Sequence, residues 1–592
     1  MTELEYIPLG IGHAKEGVCF LLRMGPYRIL CDCGLSDLRS LLSPPAPLVP
    51  ASTSALAPEW PADFAICSHA HSDHARGILA LHEAFPELPI YASDVTAHLL
   101  PLNWPSESEP QRIPNFCRSL PWRTPTELAP GLTVELYPAG HLPGASATLL
   151  TYAPQVSGAD RAYTILYTGD FLLSNSRLVD GLPLSELRGM ALDVLILEGS
   201  FGTARHPHRR QQENQFAERV MQALSQGRSV LIPVPMLGLA QELLMLMRSH
   251  HTFTGKNLDI WVEDSIARGC DAYLEILTSL PPTVQNFALH QALFWDERVR
   301  PRVRRLSAAT SPARQTVGAG RSQRGDRPCI VLADESFDPR DYCGPTDRPW
   351  LILLPERPPQ EDPAVVLGKT APAAKQFSLK TFQAPSATSN WEPLLQSGIL
   401  SIDTFLLAEH CDGAGTTQLI HNLRPQHVVL MHGSPAYLTD LIGLEELANR
   451  YHLHSPSTGN RLELPVGEGL IQPPTAAVID AVFDGEIHEL ETEVIATLPR
   501  QLVDDPRWRS FADTGLIEAA WQGDLLVLRG ISQRELLVQA SRMRDSSLKC
   551  CARCKHYRAR RCWNRQSSLY GSQVAPEGYC PVFEPSAQLA ED

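Results

Sequence analysis

The stretch SHAHSDHARG, residues 68–77, places four potential metal ligands within six residues of one another. It follows the apolar run DFAIC, which predicts a strand, so the ligands lie just beyond a strand end. In an extended loop, side chains at positions i and i+2 share one side, so His69 and His71 can bind one ion. Asp73 and His74 enter the first turn of the next helix and then point toward a second ion. The stretch therefore predicts a site for two metal ions.

Later strand ends supply further candidates for this site. His141 lies in PAGHLPGAS and Asp170 in YTGDF, each after a strand-like run. Asp32 in ILCDCG is better placed to orient a ligand histidine or the loop than to bind metal. Each of these has an alternative interpretation as a turn residue, because GHLPG and TGD are common turn sequences. Their order along the chain distinguishes the two interpretations.

The order of Asp32, the cluster at 69–74, His141 and Asp170 resembles that of the metallo-β-lactamase superfamily. This resemblance implies an α/β fold, a four-layer αβ/βα sandwich with a dinuclear zinc site on one edge. A single small domain is excluded, because 592 residues suggest about three to five folding units.

Further motifs resemble those of one branch of that superfamily, the β-CASP nucleases, which include ribonuclease J, the cleavage and polyadenylation endonuclease, and Artemis. Glu198 in LILEGSFG, His410 in LAEHCD and His432 in VVLMHGS look like the family's motifs A, B and C. HPHRRQQENQF and LIPVPMLGLAQE also fall where family members carry related segments. The resemblance covers residues from about 5 to 470, and the endonuclease branch of archaea and eukaryotes is the closer one.

The resemblance implies two zinc ions and a role for each motif residue. The first zinc would be held by His69, His71, His141 and Asp170, and the second by Asp73, His74, Asp170 and His432. Asp73, Glu198 and His410 would be catalytic, with the Glu198–His410 pair protonating the leaving oxygen. The implied reaction is phosphodiester hydrolysis by a hydroxide that bridges the two zinc ions, which leaves 5′-phosphate and 3′-hydroxyl products.

Two departures from the family pattern bear on the substrate. Leu239 stands where the family's Gly-Arg-x-Gln-Glu segment has its arginine, so the resemblance implies the loss of one phosphate contact. Asp334 and Glu335 replace a small neutral loop that follows the strand CIVLA, and carboxylates there would repel an anionic strand. The basic run at 298–305 is a candidate for compensation.

The overall charge is acidic, with a formal net charge of −15, but the basic residues are segregated. Residues 298–327 contain nine arginines and one acid, and residues 542–565 contain nine Lys or Arg and one acid. A phosphate-binding surface needs such segregation, although solvated basic loops would look the same. We expect single-stranded RNA as the substrate. The alternatives are DNA, or a binding or scaffold subunit that keeps zinc but has lost turnover.

Composition shifts divide the chain. We expect a metallo-β-lactamase domain in two segments with the β-CASP cap inserted between them, then a small mixed α/β extension and a Cys-rich tail. The expected bounds are 1–205 and 399–470 for the two segments, 206–398 for the cap, 478–545 for the extension and 546–592 for the tail. No apolar run reaches the ~18 residues that cross a bilayer, and no signal peptide is seen, so we expect a cytoplasmic protein without membrane contact. A homodimer is the candidate assembly.

The tail carries a second candidate metal site. Four cysteines, with spacings irregular for a zinc ribbon, are candidate ligands: Cys551, Cys554, Cys562 and Cys580. A structural zinc ion is our first expectation, and an iron–sulfur cluster or no metal are the alternatives. Cys550 could substitute for Cys551, and His556 is another candidate ligand.

Overall fold

The computed structural model of the protein describes most of the chain up to residue 466 and short segments beyond it. The described residues are 4–12, 16–42, 61–104, 116–154, 161–190, 192–306, 327–342, 349–356, 392–466, 486–489, 494–497, 517–522, 525–530, 554–558, 561–565 and 584. The chain divides into two compact units, Met1–Ala476 and Ala477–Asp592.

Two seven-stranded sheets form the base of the first unit. In spatial order the strands of the first sheet are Leu462–Glu463, Leu4–Ile11, Val18–Met24, Tyr27–Cys31, Phe64–Ile66, Ile90–Ser93 and Cys117–Leu120. Those of the second are His452–His454, His427–Met431, Val194–Glu198, Tyr163–Tyr167, Ser146–Tyr152, Leu132–Pro138 and Thr126–Ala129. Both sheets combine segments from before residue 200 with segments from after residue 425, so the return of the chain completes them.

The two sheets pack face to face through a shared apolar core. Tyr6 and Phe20 from the first sheet join Tyr167, Ile196 and Val429 from the second in one buried cluster. Alternate residues of these strands point the other way, toward helices that bury a second core. The predicted α/β sandwich of the metallo-β-lactamase type is confirmed.

A third sheet is inserted between the two halves of this sandwich. Its six strands are all parallel, and in spatial order they are Arg302–Leu306, Asp259–Glu263, Ile330–Asp334, Ser229–Val234, Trp350–Pro355 and Leu400–Phe405. We call this inserted part the cap.

The cap extends further along the chain than the expected boundary at 398/399. Strand Leu400–Phe405 pairs in parallel with Trp350–Pro355 of the cap sheet, so the chain returns to the sandwich after Phe405. In the sequence, LSIDTFLLAEH reads as one segment ending in His410. Its strand belongs to the cap, whereas the loop that follows carries the histidine.

Helices cover the outer faces of the sheets. In chain order they are Arg39–Leu42, Ser72–Ala75, Ile78–Ala84, Asp94–Leu99, Leu184–Leu187, Arg209–Ser225, Leu239–Ser249, Asp264–Glu275, Pro282–His290, Glu392–Gln396, Gly413–Leu423, Pro435–Ile442 and Glu445–Ala448, with 3-10 turns at Leu100–Asn103, Leu277–Ser279 and Pro339–Asp341. The Asp412 side chain caps Gly413–Leu423 by accepting a hydrogen bond from Gly415 N. Within the described residues, no helix combines the length and apolar character needed to cross a membrane.

In the second unit the described residues form short antiparallel hairpins. They pair Glu486–Glu489 with Val494–Thr497, Ile517–Gln522 with Leu525–Gly530, and Tyr557–Arg558 with Arg561–Cys562. Cys554 and Cys562 are buried, whereas Cys550, Cys551 and Cys580 lie outside the described residues. The tail metal site therefore stays a prediction.

Candidate metal centre

Strand ends of both sheets meet at one edge of the sandwich. The loop after Phe64–Ile66 carries the SHAHSDH motif, and the loop after Tyr163–Tyr167 carries Asp170. Glu198 ends its own strand and is the parallel register partner of Met431, so His432 follows directly beside it. Parallel strands place their carboxyl ends together, which explains why residues so far apart in sequence converge here.

Four of the predicted ligands form a first cluster. The ligand atoms of His69, His71, His141 and Asp170 all lie within 4.8 Å of one another. His141 Nε2 is 2.9 Å from His71 Nδ1, and His69 Nε2 is 3.5 Å from Asp170 Oδ2. Three imidazoles and one carboxylate form a donor set suited to zinc.

The other predicted ligands form a second cluster that adjoins the first through Asp170. Asp73, His74 and His432 bring their ligand atoms within 4.8 Å of one another. Asp170 Oδ2 is 3.3 Å from His74 Nε2, and Asp170 Oδ1 is 3.6 Å from His432 Nδ1. The Asp170 carboxylate thus lies between the two clusters, where a bridging ligand would be.

Asp32 contacts the second cluster from behind. Its Oδ2 accepts hydrogen bonds from His74 Nδ1 at 2.8 Å, the Tyr167 hydroxyl at 2.6 Å and Ser68 Oγ at 2.8 Å, while Oδ1 accepts from Ser68 N. These bonds fix the ring orientation of His74. Asp32 has a left-handed backbone with φ of 56°, a costly conformation for a residue other than glycine, and functional sites commonly retain such strain.

Each of the other ligand histidines also has one ring nitrogen held by a neighbour. The contacts are His69 Nδ1 to Ser68 Oγ at 3.0 Å, His71 Nε2 to Leu237 O at 3.3 Å, His141 Nδ1 to Glu409 O at 2.9 Å and His432 Nδ1 to Ser200 Oγ at 3.0 Å. Holding one nitrogen directs the other toward the cluster, as is usual for metal-binding histidines.

Unsatisfied polar atoms in the centre provide a test of whether a metal fits. Within the part of the chain that the structure describes, His69 Nε2, His74 Nε2 and Asp170 Oδ1 are buried and have no hydrogen-bond partner. A buried polar atom without a partner costs ~1–3 kcal/mol, so three in one place need a common explanation. Divalent cations bound by these atoms supply it, and the residues present fit such ions.

The electrostatics of the clusters also suit cations. Burial lowers the pKa values of His69 and His71 and lowers that of His141 to about 3, so these rings are neutral and their lone pairs are available. Burial alone would lower the pKa of His432 as well, but Asp170 and Asp73 raise it to about 10. The carboxylates thus create a negative field in which a metal ion would displace protons.

Glu198 and His410 form a hydrogen-bonded pair beside the clusters. Glu198 Oε2 lies 2.8 Å from His410 Nδ1, and Glu198 Oε1 accepts a hydrogen bond from Phe171 N at 2.7 Å. Burial would lower the pKa of His410, but Glu198 and Asp170 raise it to about 9. His410 Nδ1 is also 3.9 Å from Asp170 Oδ2, so the pair faces the clusters.

Charged side chains connect the start of the cap to the sandwich. Arg209 Nη2 is 3.0 Å from Glu242 Oε2, and Arg177 Nη2 is 2.6 Å from Glu213 Oε2. Glu242 also accepts hydrogen bonds from Ser176 Oγ and from the backbone N–H groups of Arg177 and Leu178. The predicted HPHRRQQENQF and GLAQE segments therefore meet, and their polar residues join cap to sandwich. Leu239 is 4% exposed and contributes to the apolar core.

The basic run at 298–305 is largely compensated by acids. Four of its five arginines form ion pairs: Arg298 with Asp296, Arg302 with Asp259, Arg304 with Asp259 and Glu297, and Arg305 with Asp271. Arg304 and Arg305 also lie over the rings of Trp261 and Trp295. These contacts weaken the case for this run as a free phosphate-binding surface.

The cap approaches the first cluster at Gly238. Its backbone has φ of 89°, and a Cβ placed there would lie 2.8 Å from Glu409 Oε1 and 3.5 Å from His71 Nε2. The preceding carbonyl, Leu237 O, holds His71. Only glycine adopts this conformation without strain, so the turn is adapted to bring the cap backbone close to a ligand.

We expect Gly238→Ala to weaken metal binding at the first cluster by ~10-fold or more, as is typical when an outer partner of a ligand is disturbed. Competition with a chromophoric chelator measures the affinity. Gly227→Ala is the control, because Gly227 has a positive φ of 75° but no atom within 4 Å of its Cβ position. Equal affinity in Gly238→Ala and wild type would show that the cap does not support His71.

Comparison with known proteins extends these observations. Residues 27–232 match the β-lactamase superfamily domain. A relative from Synechocystis sp., described as an uncharacterized protein, is 44% identical over 98% of this chain and 97% of its own length. A ribonuclease of Thermus thermophilus is 28% identical over 42% of this chain and 55% of its own length. Cleavage and polyadenylation specificity factor 73 of Drosophila melanogaster is 24% identical over 73% of this chain and 60% of its own length.

The sandwich and its paired ligand clusters define a metal-dependent hydrolase of the metallo-β-lactamase superfamily. The inserted cap and the similarity to these relatives agree with the architecture of a β-CASP nuclease within that superfamily. The resemblance expected from the sequence is confirmed at this level. The matches span about three fifths or less of the Thermus thermophilus ribonuclease and of the Drosophila melanogaster factor.

Several contacts of the centre were not expected from the sequence. Ser68, Tyr167 and Ser200 hold side chains of the site through hydroxyl groups, and Leu237 does so through its carbonyl. All three hydroxyl-bearing residues lie within the motifs SHAHSDHARG, YTGDF and LILEGSFG, so their place beside predicted site residues could have suggested them. The contact made by the backbone carbonyl of Leu237 cannot be predicted from the type of side chain at that position.

Proposed function

We propose that the protein is a zinc-dependent ribonuclease that hydrolyses phosphodiester bonds in single-stranded RNA. The observation that carries this proposal is the position of the Glu198–His410 pair beside two ligand clusters that share Asp170. Small-molecule lactamases have no need for this pair or for the cap. The ribonuclease and polyadenylation-factor names of relatives support the nucleic-acid substrate.

The metal ions, His410 and Glu198 would have different roles in the proposed reaction. When bound, two zinc ions would supply a hydroxide nucleophile at neutral pH and neutralise charge on the phosphoryl oxygens. His410 would donate a proton to the leaving oxygen, because its Nδ1 is held by Glu198 and its second nitrogen remains for the substrate. Glu198 would keep His410 protonated and oriented, in the manner of the third member of a catalytic triad.

Matched RNA and DNA strands test the proposal. The full chain, reconstituted with zinc, is incubated with 5′-labelled strands of one sequence and with a chelator control. We expect cleavage of RNA in preference to DNA, with 5′-phosphate and 3′-hydroxyl ends. Preferential cleavage of DNA would instead favour a DNA nuclease. That alternative exists because the fold and motifs do not determine whether the substrate contains ribose or deoxyribose.

A second candidate function is a zinc-retaining binding or scaffold subunit with weak turnover. It is favoured by the ion-paired arginines at 298–305 and by the acidic residues that end strand Ile330–Asp334. Stoichiometric zinc with no cleavage of either strand would select it. The homodimer and the cytoplasmic location stay predictions.

The acidic segment at 334–335 is expected to limit nucleic-acid affinity. Asp334 is the register partner of Val234 in the cap sheet, and the loop after Val234 reaches His71 through Leu237. Asp334→Asn/Glu335→Gln should therefore raise RNA affinity by up to about tenfold at low salt. The gain should shrink with added salt, because it arises from repulsion within a Debye length of ~8 to 10 Å.

Binding titrations at low and moderate salt measure this effect. Glu445→Gln/Glu446→Gln is the matched control, because helix Glu445–Ala448 precedes the amino end of strand His452–His454, at the edge of the second sheet away from the metal centre. If affinity is unchanged by the 334–335 variant at both salt concentrations, that segment does not line the substrate path.

A further inference from the structure

Side chains from the first turn of a cap helix form hydrogen bonds with the backbone of the loop that carries His410. Arg209 Nη1 donates a hydrogen bond of 2.6 Å to Ala408 O, and Gln212 Oε1 accepts one of 2.8 Å from Ala408 N. Helix Arg209–Ser225 thus holds both polar groups of one peptide residue. Ala408 precedes His410 by two positions and is itself buried.

Further contacts fix the two side chains that form these hydrogen bonds. Gln212 is 3% exposed, and its Nε2 donates a hydrogen bond of 2.6 Å to Pro207 O. Both ends of the amide are therefore used, which sets its orientation. The Arg209 guanidinium is held by Glu242 at 3.0 Å. Such preorganised partners can hold a loop within a fraction of an ångström.

Other contacts to the same loop come from the metal-ligand segments. Glu409 O accepts a hydrogen bond from His141, and Cys411 N donates one of 2.9 Å to Phe171 O, next to Asp170. The loop is therefore attached to the metal centre after Ala408 and to the cap at Ala408. His410 lies between these attachments, at 2.8 Å from Glu198.

We propose that Gln212, assisted by Arg209, is a positioning residue for the proton donor His410. It holds the start of the loop so that the imidazole meets the leaving oxygen, and it makes proton donation dependent on the cap. This inference rests on the role of His410 in the proposed function. A misplacement of ~1 Å in a catalytic group can cost ~10²-fold in rate, so the contact has measurable consequences.

Leaving-group dependence tests the inference. RNA releases a sugar alkoxide and needs a proton, whereas bis(p-nitrophenyl) phosphate releases a phenolate that is stable without one. In Gln212→Ala we expect RNA turnover to fall by ~10-fold or more, with bis(p-nitrophenyl) phosphate hydrolysis within about twofold of wild type and zinc content unchanged. Equal losses on both substrates would overturn the inference, because a general structural defect does not distinguish leaving groups.

A double-mutant cycle with His410→Ala adds a second test. If Gln212 acts through His410, Gln212→Ala should have little further effect on RNA turnover once His410 is gone. Multiplicative losses would show that the two residues act independently and would overturn the proposal. Asn214→Ala is the control on the same helix, where the side chain contacts His250 at 3.0 Å, and it should leave both activities unchanged.

A Gln212→Met variant and the His410→Ala variant distinguish failure of the positioning role from unfolding and from failure of the proposed function. If Gln212→Ala unfolds, Gln212→Met keeps the side-chain volume and removes both hydrogen bonds, and the same loss on RNA alone is expected. If His410→Ala leaves RNA turnover intact, the proposed function fails. If His410→Ala lowers turnover and the Gln212 variants do not, the positioning role alone is wrong.

Discussion

Replacing Asp170 with alanine is expected to reduce bound zinc from about two ions per chain to less than one and to lower phosphodiester hydrolysis by several orders of magnitude. Asp170 Oδ2 lies 3.5 Å from His69 Nε2 and 3.3 Å from His74 Nε2, and its carboxylate is buried. Alanine would remove the shared carboxylate and leave the buried histidines of both clusters facing one another. Cations would then be bound by too few ligands, and without the negative charge that attracts them.

Elemental analysis of purified protein, with circular dichroism as a test of folding, measures this effect. Asp180→Ala is a matched control, because Asp180 is exposed on the segment that follows Asp170. The control should keep both metal and activity. An Asp170→Ala protein with full zinc content would show that Asp170 does not join the clusters, and wild-type protein without zinc after gentle purification would contradict the metal centre itself.

Replacing His410 with alanine is expected to lower RNA turnover by ~10² or more while zinc content stays near that of wild type. His410 contacts Glu198 at 2.8 Å, whereas the two clusters that converge on Asp170 contain the seven other predicted residues. Removing it therefore takes away the proton donor and leaves the ligands in place. Measuring RNA turnover and zinc content together distinguishes an effect on catalysis from an effect on metal binding.

His421→Ala serves as the control for this variant. His421 lies on the helix after the His410 loop and contacts the Tyr451 hydroxyl at 3.0 Å, so its loss should change neither zinc nor turnover. Loss of metal in His410→Ala would instead mean that the roles of His410 and His432 have been misassigned.

The sequence predicts the centre best where its residues are close together in the chain. Ligands packed into residues 69–74 are visible because a loop and a helix turn fix their relative directions. His141, Asp170 and His432 become recognisable through their order, and the structure brings them to the same edge because strands of both sheets end there. The sandwich itself follows from the same order of motifs.

Contacts between distant segments could not be predicted. The arginines at 298–305 look like a basic surface in sequence, but their partners Asp259 and Asp271 come from earlier elements that strand pairing brings alongside. The hydrogen bonds from Arg209 and Gln212 to Ala408 involve its backbone N–H and carbonyl groups. Every residue type has a backbone carbonyl, and nearly every type has an N–H, so the sequence does not indicate these contacts. The pairing of strand Leu400–Phe405 with the cap sheet is likewise not visible in the sequence, because it depends on which sheet has an edge strand available for pairing.

The separation of the ligands along the chain sets an order of assembly during synthesis. Asp73 and His432 are 359 residues apart, and the whole cap lies between them. On the ribosome, the first cluster has all its ligands once Asp170 has emerged, but the second has to await residue 432 of 592. Strand His427–Met431, which pairs with Val194–Glu198, arrives at the same time. The proposed activity can therefore arise only late in translation, after the whole cap has been made.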